Sequence, residues 1–197
     1  MNKIFTALTI AGSDPSGGAG IQADLKTFSS FGVYGQSIIT SLTAQNIHEV
    51  KSIQNLPQKF IGEQFDSISE DLGFNAVKIG MLSSRNIVRT VVDKIIEYKI
   101  KNIVLDPVIT STTGARLLNV NAVRLLKEEL IPMCRIITPN IPEAEELTGI
   151  SINDTTALKQ ALVDLKKLGC RYVLIKGGHR RDTVNSDDIL YDGRKFK

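Results

Sequence analysis

Four groups of residues in this chain have types and spacings suited to chemistry on a small polar or anionic ligand. The first is the stretch Ala11 to Gly20, AGSDPSGGAG, which carries four glycines, two serines and one carboxylate directly after an apolar run. Glycine lacks the Cβ that would hold a ligand away, so the backbone of such a loop can form a binding floor. Glycine and Asp-Pro are also common turn formers, so a plain turn is the competing reading. Neither G-x-G-x-x-G nor G-x-x-x-x-G-K-[ST] is present, and no Rossmann dinucleotide site or P-loop follows from this loop. The second group is the pair Asp106 and Glu143, whose hard oxygen donors suit Mg²⁺. Each has an ordinary alternative: Glu143, just after Asn140-Ile141-Pro142, is placed to stabilise a helix start, and Asp106 precedes Pro107 as a turn former would. The third is Lys176, an ammonium before Gly177-Gly178 that suits phosphate, with a solvated lysine as the alternative. The fourth is Gln45, whose amide supplies the donor and acceptor a heteroaromatic ring needs, with Met81 and Val108 as an apolar wall. Core packing is the commoner use of the last two.

These residues must be positioned by regular elements, and the hydrophobic pattern specifies them. Strands are predicted at Phe5–Ala11, Gln36–Ala44, Ala76–Ile79, Asn102–Leu105, Arg135–Thr138, Tyr172–Ile175 and Ile189–Asp192; several are nearly all apolar, as strands covered on both faces are. Between them, Ile21/Leu25/Phe28, Ile61/Phe65/Ile68/Leu72, Ile87/Val88/Val91/Val92/Ile95/Ile96 and Leu158/Leu162/Leu165/Leu168 recur at helical steps. Gly73 and Gly169 fit helix ends. The alternation predicts an α/β fold, a mostly parallel sheet with helices on both faces. Ligands of such sheets bind beyond the carboxyl ends of the strands. That is where the glycine loop, Gln45, Met81, Asp106, Asn140 with Glu143, and Lys176 all fall.

Composition narrows the partners. The chain has 197 residues, enough for one sizeable core, with 24 Lys+Arg scattered among 21 Asp+Glu. That distribution lacks the basic stripe of a nucleic-acid or membrane-surface binder. Cys134 and Cys170 form no C-x-x-C pattern, so neither a zinc site nor a disulfide framework is expected and a reducing cytoplasm is the simplest setting. Lys3 followed by Ile4–Ala11 superficially resembles a secretory signal, yet the run is short and enters the Ser13-Asp14-Pro15 turn, as a buried first strand would. No uncharged stretch is long enough for a transmembrane helix.

Several blocks also carry a family resemblance, in order along essentially the whole chain: LTIAGSDPSGGAGIQADLKTF at 8–28, SLTAQN at 41–46, VKIGML at 77–82, VLDPV at 104–108, ITPNIPEAEELTG at 137–149 and LIKGGH at 174–179. Together they resemble the hydroxymethylpyrimidine/phosphomethylpyrimidine kinases of thiamine biosynthesis, in the ribokinase-like superfamily. The resemblance implies a ribokinase-like three-layer fold and a homodimer. It also implies ATP- and Mg²⁺-dependent phosphorylation of the hydroxymethyl group of 4-amino-5-hydroxymethyl-2-methylpyrimidine, and then of its monophosphate. Gly12, Asp24, Gln45, Met81 and Val108 would surround the pyrimidine, with Ala19 on the covering loop. Asn140 and Glu143 match the N-x-x-E motif that helps place Mg²⁺ and ATP phosphates, with Asp106 nearby. Lys176 matches a lysine near the nucleotide phosphates.

The sequence departs from that family in two places. No G-T-G-C-type segment follows the K-G-G-H block, although its backbone N–H groups and cysteine would supply the family's anion hole and base; neither Cys134 nor Cys170 matches that cysteine. The expectation is a single kinase domain, residues 1–197, lacking that C-terminal segment, and a continuation carrying it. Thr112 stands where some members have a lysine. The polar segment Arg180–Ser186 is expected to cover the nucleotide. A pyridoxal kinase of the same superfamily and a non-catalytic pyrimidine-binding module are the rival readings.

Overall fold

The computed structural model describes residues 4–70, 73–110, 116–179 and 186–197. Its first strand, β1 (Thr6–Ser13), is buried continuously from Ala7 to Gly12, which requires cover on both faces. It is followed by α1 (Gly20–Ser30), β2 (Tyr34–Gln45), β3 (Val50–Asn55), α2 (Gln58–Ser69), β4 (Ala76–Ile79), α3 (Arg85–Glu97) and β5 (Ile103–Leu105). Then come α4 (Val120–Leu125), β6 (Ile136–Ile137), α5 (Ile141–Thr148), α6 (Thr155–Lys167), β7 (Tyr172–Ile175) and β8 (Ile189–Tyr191). Among the described residues eight strands form one sheet in the order β3-β2-β1-β4-β5-β6-β7-β8. Pairing is parallel from β2 to β7. Only the outer strands β3 and β8 run antiparallel to their neighbours. The predicted α/β architecture, mostly parallel with flanking helices, is the one observed.

Helix starts follow local side-chain chemistry. Ser84 accepts from the Ile87 N–H to open α3, and Asp154 accepts from the Ala157 N–H to open α6. Such caps satisfy N–H groups that the helix itself leaves free. The apolar stripes then bury where their spacing directs them: Ile61 and Phe65 of α2, Ile87 to Ile95 of α3, and Leu158 to Leu165 of α6 enter one continuous core with Leu8, Ile10, Ile79 and Leu105 of the sheet. Gly169 follows the end of α6 at φ +106°, as expected of a helix terminator.

The structure corrects several boundaries. β1 runs two residues past Ala11, with an irregularity of register between Ala11 and Ser13, so the first residues of the glycine stretch belong to the strand. α2 stops at Ser69, short of Gly73. Leu72, at the end of its predicted stripe, lies outside the described residues. β3 and α4 were not expected from the sequence. β3 is a mostly exposed edge strand, VKSIQN, with too few apolar positions to register as alternation. It is held by backbone pairing to β2, which composition does not reveal.

Among the described residues Phe65 is the largest fully buried side chain. Phe65→Ala is expected to cost about 3–5 kcal/mol of stability, read as a lowered urea midpoint.

Candidate active site

Parallel pairing makes the strand ends step along one edge of the sheet. Gly80 N–H donates to the Ile10 carbonyl, Asp106 N–H to Ile79, Thr138 N–H to Leu105 and Lys176 N–H to Pro139, each at 2.9 Å. Beyond these ends lies a cavity of about 380 Å³. All of the site residues predicted from sequence line it. Strand order separates them into two groups: Gly12, Ala19, Asp24, Gln45 and Met81 come from the β2-β1-β4 half, and Asp106, Val108, Asn140, Glu143 and Lys176 from the β5-β6-β7 half.

On the first side, the glycine loop is organised by its own carboxylate. Asp14, only 3% exposed, accepts from the N–H groups of Ser16 (2.8 Å), Gly18 (3.1 Å) and Ala19 (2.8 Å) and from the Ser16 hydroxyl. Burial alone would raise this carboxyl, but the Ser16 side chain and the three backbone N–H groups outweigh it and hold it below its ordinary value. Gln22 ties the loop from α1, accepting from Asp14 N–H at 2.9 Å and donating to Ser13 Oγ at 2.7 Å. The buried carboxylate at the centre of the loop is therefore satisfied by the loop's own N–H and hydroxyl groups. Gly20 is required sterically: its φ is +57°, and a Cβ there would lie 2.4 Å from the Gly12 carbonyl oxygen. Gly12 itself sits close to Met81, whose sulfur would be 3.3 Å from an added Cβ. Gln45 ends β2, its Oε1 3.3 Å from the Thr43 hydroxyl.

On the other side, the charged residues engage one another. Lys176 Nζ donates to Asp106 Oδ1 at 2.6 Å, and the Thr138 hydroxyl lies 3.4 Å from the same oxygen. Asn140 and Glu143 form a reciprocal cap on α5: Glu143 N–H donates to Asn140 Oδ1 at 2.9 Å, and Asn140 N–H to Glu143 Oε2 at 2.7 Å. A parallel bridge between Asn140 and Lys176 brings the β6 and β7 ends side by side. Glu143 is thus a helix cap and also a cavity-lining residue, 4% exposed. Burial raises its carboxyl to about 7; the Asn140 N–H and the Lys176 charge oppose this, the Asp106 charge adds to it, and the Ile109 N–H opposes it.

One expectation about phosphate is corrected here. The Gly177 N–H, counted with Lys176 as an anion donor, instead donates to Asp188 Oδ1 at 2.9 Å. The glycine is needed because a Cβ would come within 2.1 Å of the Asp187 carbonyl oxygen. Lys176 therefore stands as the cation without that neighbour. Thr112 and all but Ser186 of the Arg180–Ser186 segment lie outside the described residues.

Two carboxylates in one cavity, one carrying a raised pKa, are chemically suited to a hard divalent cation. Among the described residues no cluster of three His, Cys, Asp or Glu side chains is arranged to hold a metal. A cation held by Asp106 and Glu143 would thus complete its shell with water and phosphate oxygens, the usual habit of Mg²⁺. Cys134 and Cys170 are buried away from this chemistry, and burial pushes both thiols up, Cys170 to about 11.

Sequence reasoning missed Lys78. This lysine of β4 lines the cavity and pairs with Asp24 at 2.9 Å, while the buried Thr9 hydroxyl donates to the same Asp24 oxygen at 2.6 Å. A lysine between two apolar residues of an internal parallel strand was the available signal, because such a charge needs a partner.

A mostly parallel eight-stranded sheet with a two-part cavity at its carboxyl edge is the architecture of the ribokinase-like small-molecule kinases. The solved phosphomethylpyrimidine kinase of Clostridium difficile 630 superposes with a TM-score of 0.90 at 48% identity, covering 98% of this chain and 83% of that one. A pyridoxal kinase of Bacillus subtilis, solved with ADP, is more distant at 34% identity, with a TM-score of 0.89 over 99% of this chain and 73% of that one. The hydroxymethylpyrimidine/phosphomethylpyrimidine kinase of Bacillus subtilis is 46% identical over 194 residues, 98% of this chain and 72% of that protein. The thiamine biosynthesis bifunctional protein ThiED of Geobacter sulfurreducens is also 46% identical, over 97% of this chain and 39% of its own length. The family described as phosphomethylpyrimidine kinase matches residues 14–197, and the chain belongs to that family.

Two outcomes are expected from this geometry. Gly20→Ala should cost about 1–3 kcal/mol through backbone strain, measured by urea unfolding. Glu143 should titrate near 7, against an ordinary value of 4.5. Between those values the folded protein holds a proton that the unfolded chain has released, so its stability falls as pH rises through the window. Unfolding from pH 4.5 to 7.5 should show that fall in the native protein and a flatter profile in Glu143→Gln.

Proposed function

We propose that this protein transfers the γ-phosphoryl group of ATP to the hydroxymethyl oxygen of 4-amino-5-hydroxymethyl-2-methylpyrimidine, and then phosphorylates the monophosphate to the diphosphate. One observation carries this reading: a ring-binding group (Gln45, Met81, Val108 and the glycine loop) and a phosphate-handling group (Lys176, Asp106, Asn140 and Glu143) share one cavity. Family membership supplies the substrate class, and the greater distance of the pyridoxal kinase makes pyridoxal the lesser candidate.

In this reading Gln45 pairs with the ring edge, Met81 and Val108 pack on its faces, and Gly12 and Ala19 bring backbone against it. Asp24 accepts from a donor group of the substrate. Lys176 exchanges Asp106 for phosphate oxygens when ATP enters, so its charge moves to the transferring group where negative charge has to be neutralised. Asn140 keeps α5 in place and with it Glu143. Asp106 and Glu143 would hold Mg²⁺, which would supply charge neutralisation at the ATP phosphates. Phosphoryl transfer demands positioning and electrostatics above covalent chemistry, which fits a site of fixed ion pairs. No helix among the described residues is long and apolar enough to cross a membrane. The same reading includes a homodimer in the cytoplasm, supported by resemblance to the family.

The test is binding and turnover of the purified protein with this pyrimidine, Mg²⁺ and ATP, with pyridoxal in parallel. ADP formation dependent on the pyrimidine is expected. Tight pyrimidine binding without turnover would favour a binding module, and pyridoxal-only activity would favour the rival kinase. Lys176→Met should lower kcat by on the order of 10²- to 10³-fold with little change in pyrimidine affinity.

A further inference from the structure

Lys78 occupies an unusual place for a charge. It lies in β4 between the buried residues Val77 and Ile79, in direct register with Thr9 of β1, and Thr9 is fully buried. Both side chains reach Asp24 of α1, and both use one oxygen of it: Thr9 Oγ1 donates to Oδ2 at 2.6 Å and Lys78 Nζ at 2.9 Å. The side chains of Lys78 and Asp24 are 24% and 17% exposed, and both residues line the cavity. Gly80 leaves the ammonium its room, since a Cβ there would lie 2.8 Å from Lys78 Nζ.

From this arrangement we infer that Lys78 is a positioning and specificity-determining residue that holds Asp24 as a fixed acceptor for a donor group on an uncharged heteroaromatic substrate. Two donors on Oδ2 stop the carboxylate from rotating, and Oδ1 is left to accept from the ligand. Among the described residues no group donates to Oδ1; both donors sit on Oδ2. The pair is neutral overall, so it does not oppose burial of an uncharged ring. A ligand presenting only an acceptor at this point would meet a carboxylate lone pair. Removing the ammonium leaves a half-buried carboxylate without its counter-charge and with one fewer donor on Oδ2, free to swing away. β5 lies between Lys78 and the β6-β7 ends in the sheet, and Lys176 has its own partner in Asp106. The effect should therefore fall on ring binding and leave nucleotide binding alone.

This inference rests on the pyrimidine reading, and calorimetry separates the two. Titrations of 4-amino-5-hydroxymethyl-2-methylpyrimidine and of a non-hydrolysable ATP analogue would be run on the native protein, Lys78→Met, Lys78→Arg and Thr9→Val, with thermal unfolding as the check on folding. Lys78→Met should weaken the pyrimidine by at least about 20-fold and leave the nucleotide Kd within about twofold. Thr9→Val, losing a neutral donor, should weaken the pyrimidine by roughly 3- to 10-fold. Lys78→Arg should recover most of the native affinity. In turnover, KM for the pyrimidine should rise far more than kcat falls. Native-like pyrimidine affinity in Lys78→Met, or equal loss of both ligands, overturns the inference alone. If Lys78→Met does not fold, native affinity in Thr9→Val overturns it. A native protein that binds the nucleotide but not the pyrimidine overturns the pyrimidine reading and this inference together.

Discussion

A half-dry cavity at the edge of a parallel sheet can hold charge only where each charge has a partner, and that requirement organises this molecule. Two lysines and two aspartates meet it as pairs drawn from distant parts of the chain, Lys78 with Asp24 and Lys176 with Asp106. Lys78 lies in β4 and Lys176 just past β7, whereas Asp24 is on α1 and Asp106 just past β5, two strands from β7, so the pairs depend on the register of β1 with β4 and on the position of β7 beyond β6. Asp14 meets the same requirement locally, drawing its compensation from N–H groups of the loop it closes.

The two pairs have different consequences. The Asp24 pair is reinforced by a buried hydroxyl and makes a rigid acceptor. The Asp106 pair sits beside Glu143, a buried carboxyl already raised to about 7, so the cluster is poised to accept further positive charge or to give up its ammonium to an anion. Rigidity on one side and exchangeable charge on the other suit a site that recognises a neutral ring and handles phosphate. The helix cap formed by Asn140 and Glu143 joins the fold to that chemistry, because the residue that starts α5 also lines the cavity.

Much of this was legible in the sequence, for identifiable reasons. The central strands are short apolar runs bounded by turns, and the stripes of α2, α3 and α6 keep helical spacing, so burial and pattern agree. β3 escaped because an exposed edge strand needs only backbone partners, and α4 because Val120–Leu125 passes directly into a π-helical turn at Leu126–Leu130 and a tighter turn at Ile131–Met133, which break the 3.6-residue spacing. At the site, glycine, carboxylate and lysine at strand ends pointed to the cavity residues, yet Gly177 answers to packing against Asp187 and a bond to Asp188.

The order of apolar runs and stripes determined the α/β class and the edge where the cavity-lining residues gather, and the motifs determined the family. All three are properties of local pattern, carried by neighbours along the chain. Which oxygen of Asp24 is occupied, that Lys78 and Thr9 occupy it, that Lys176 rests on Asp106, and that burial lifts Glu143 were decided only by tertiary structure. These depend on distances between residues up to 70 positions apart and on how much water each carboxylate retains, quantities that arise only when the strands are in register.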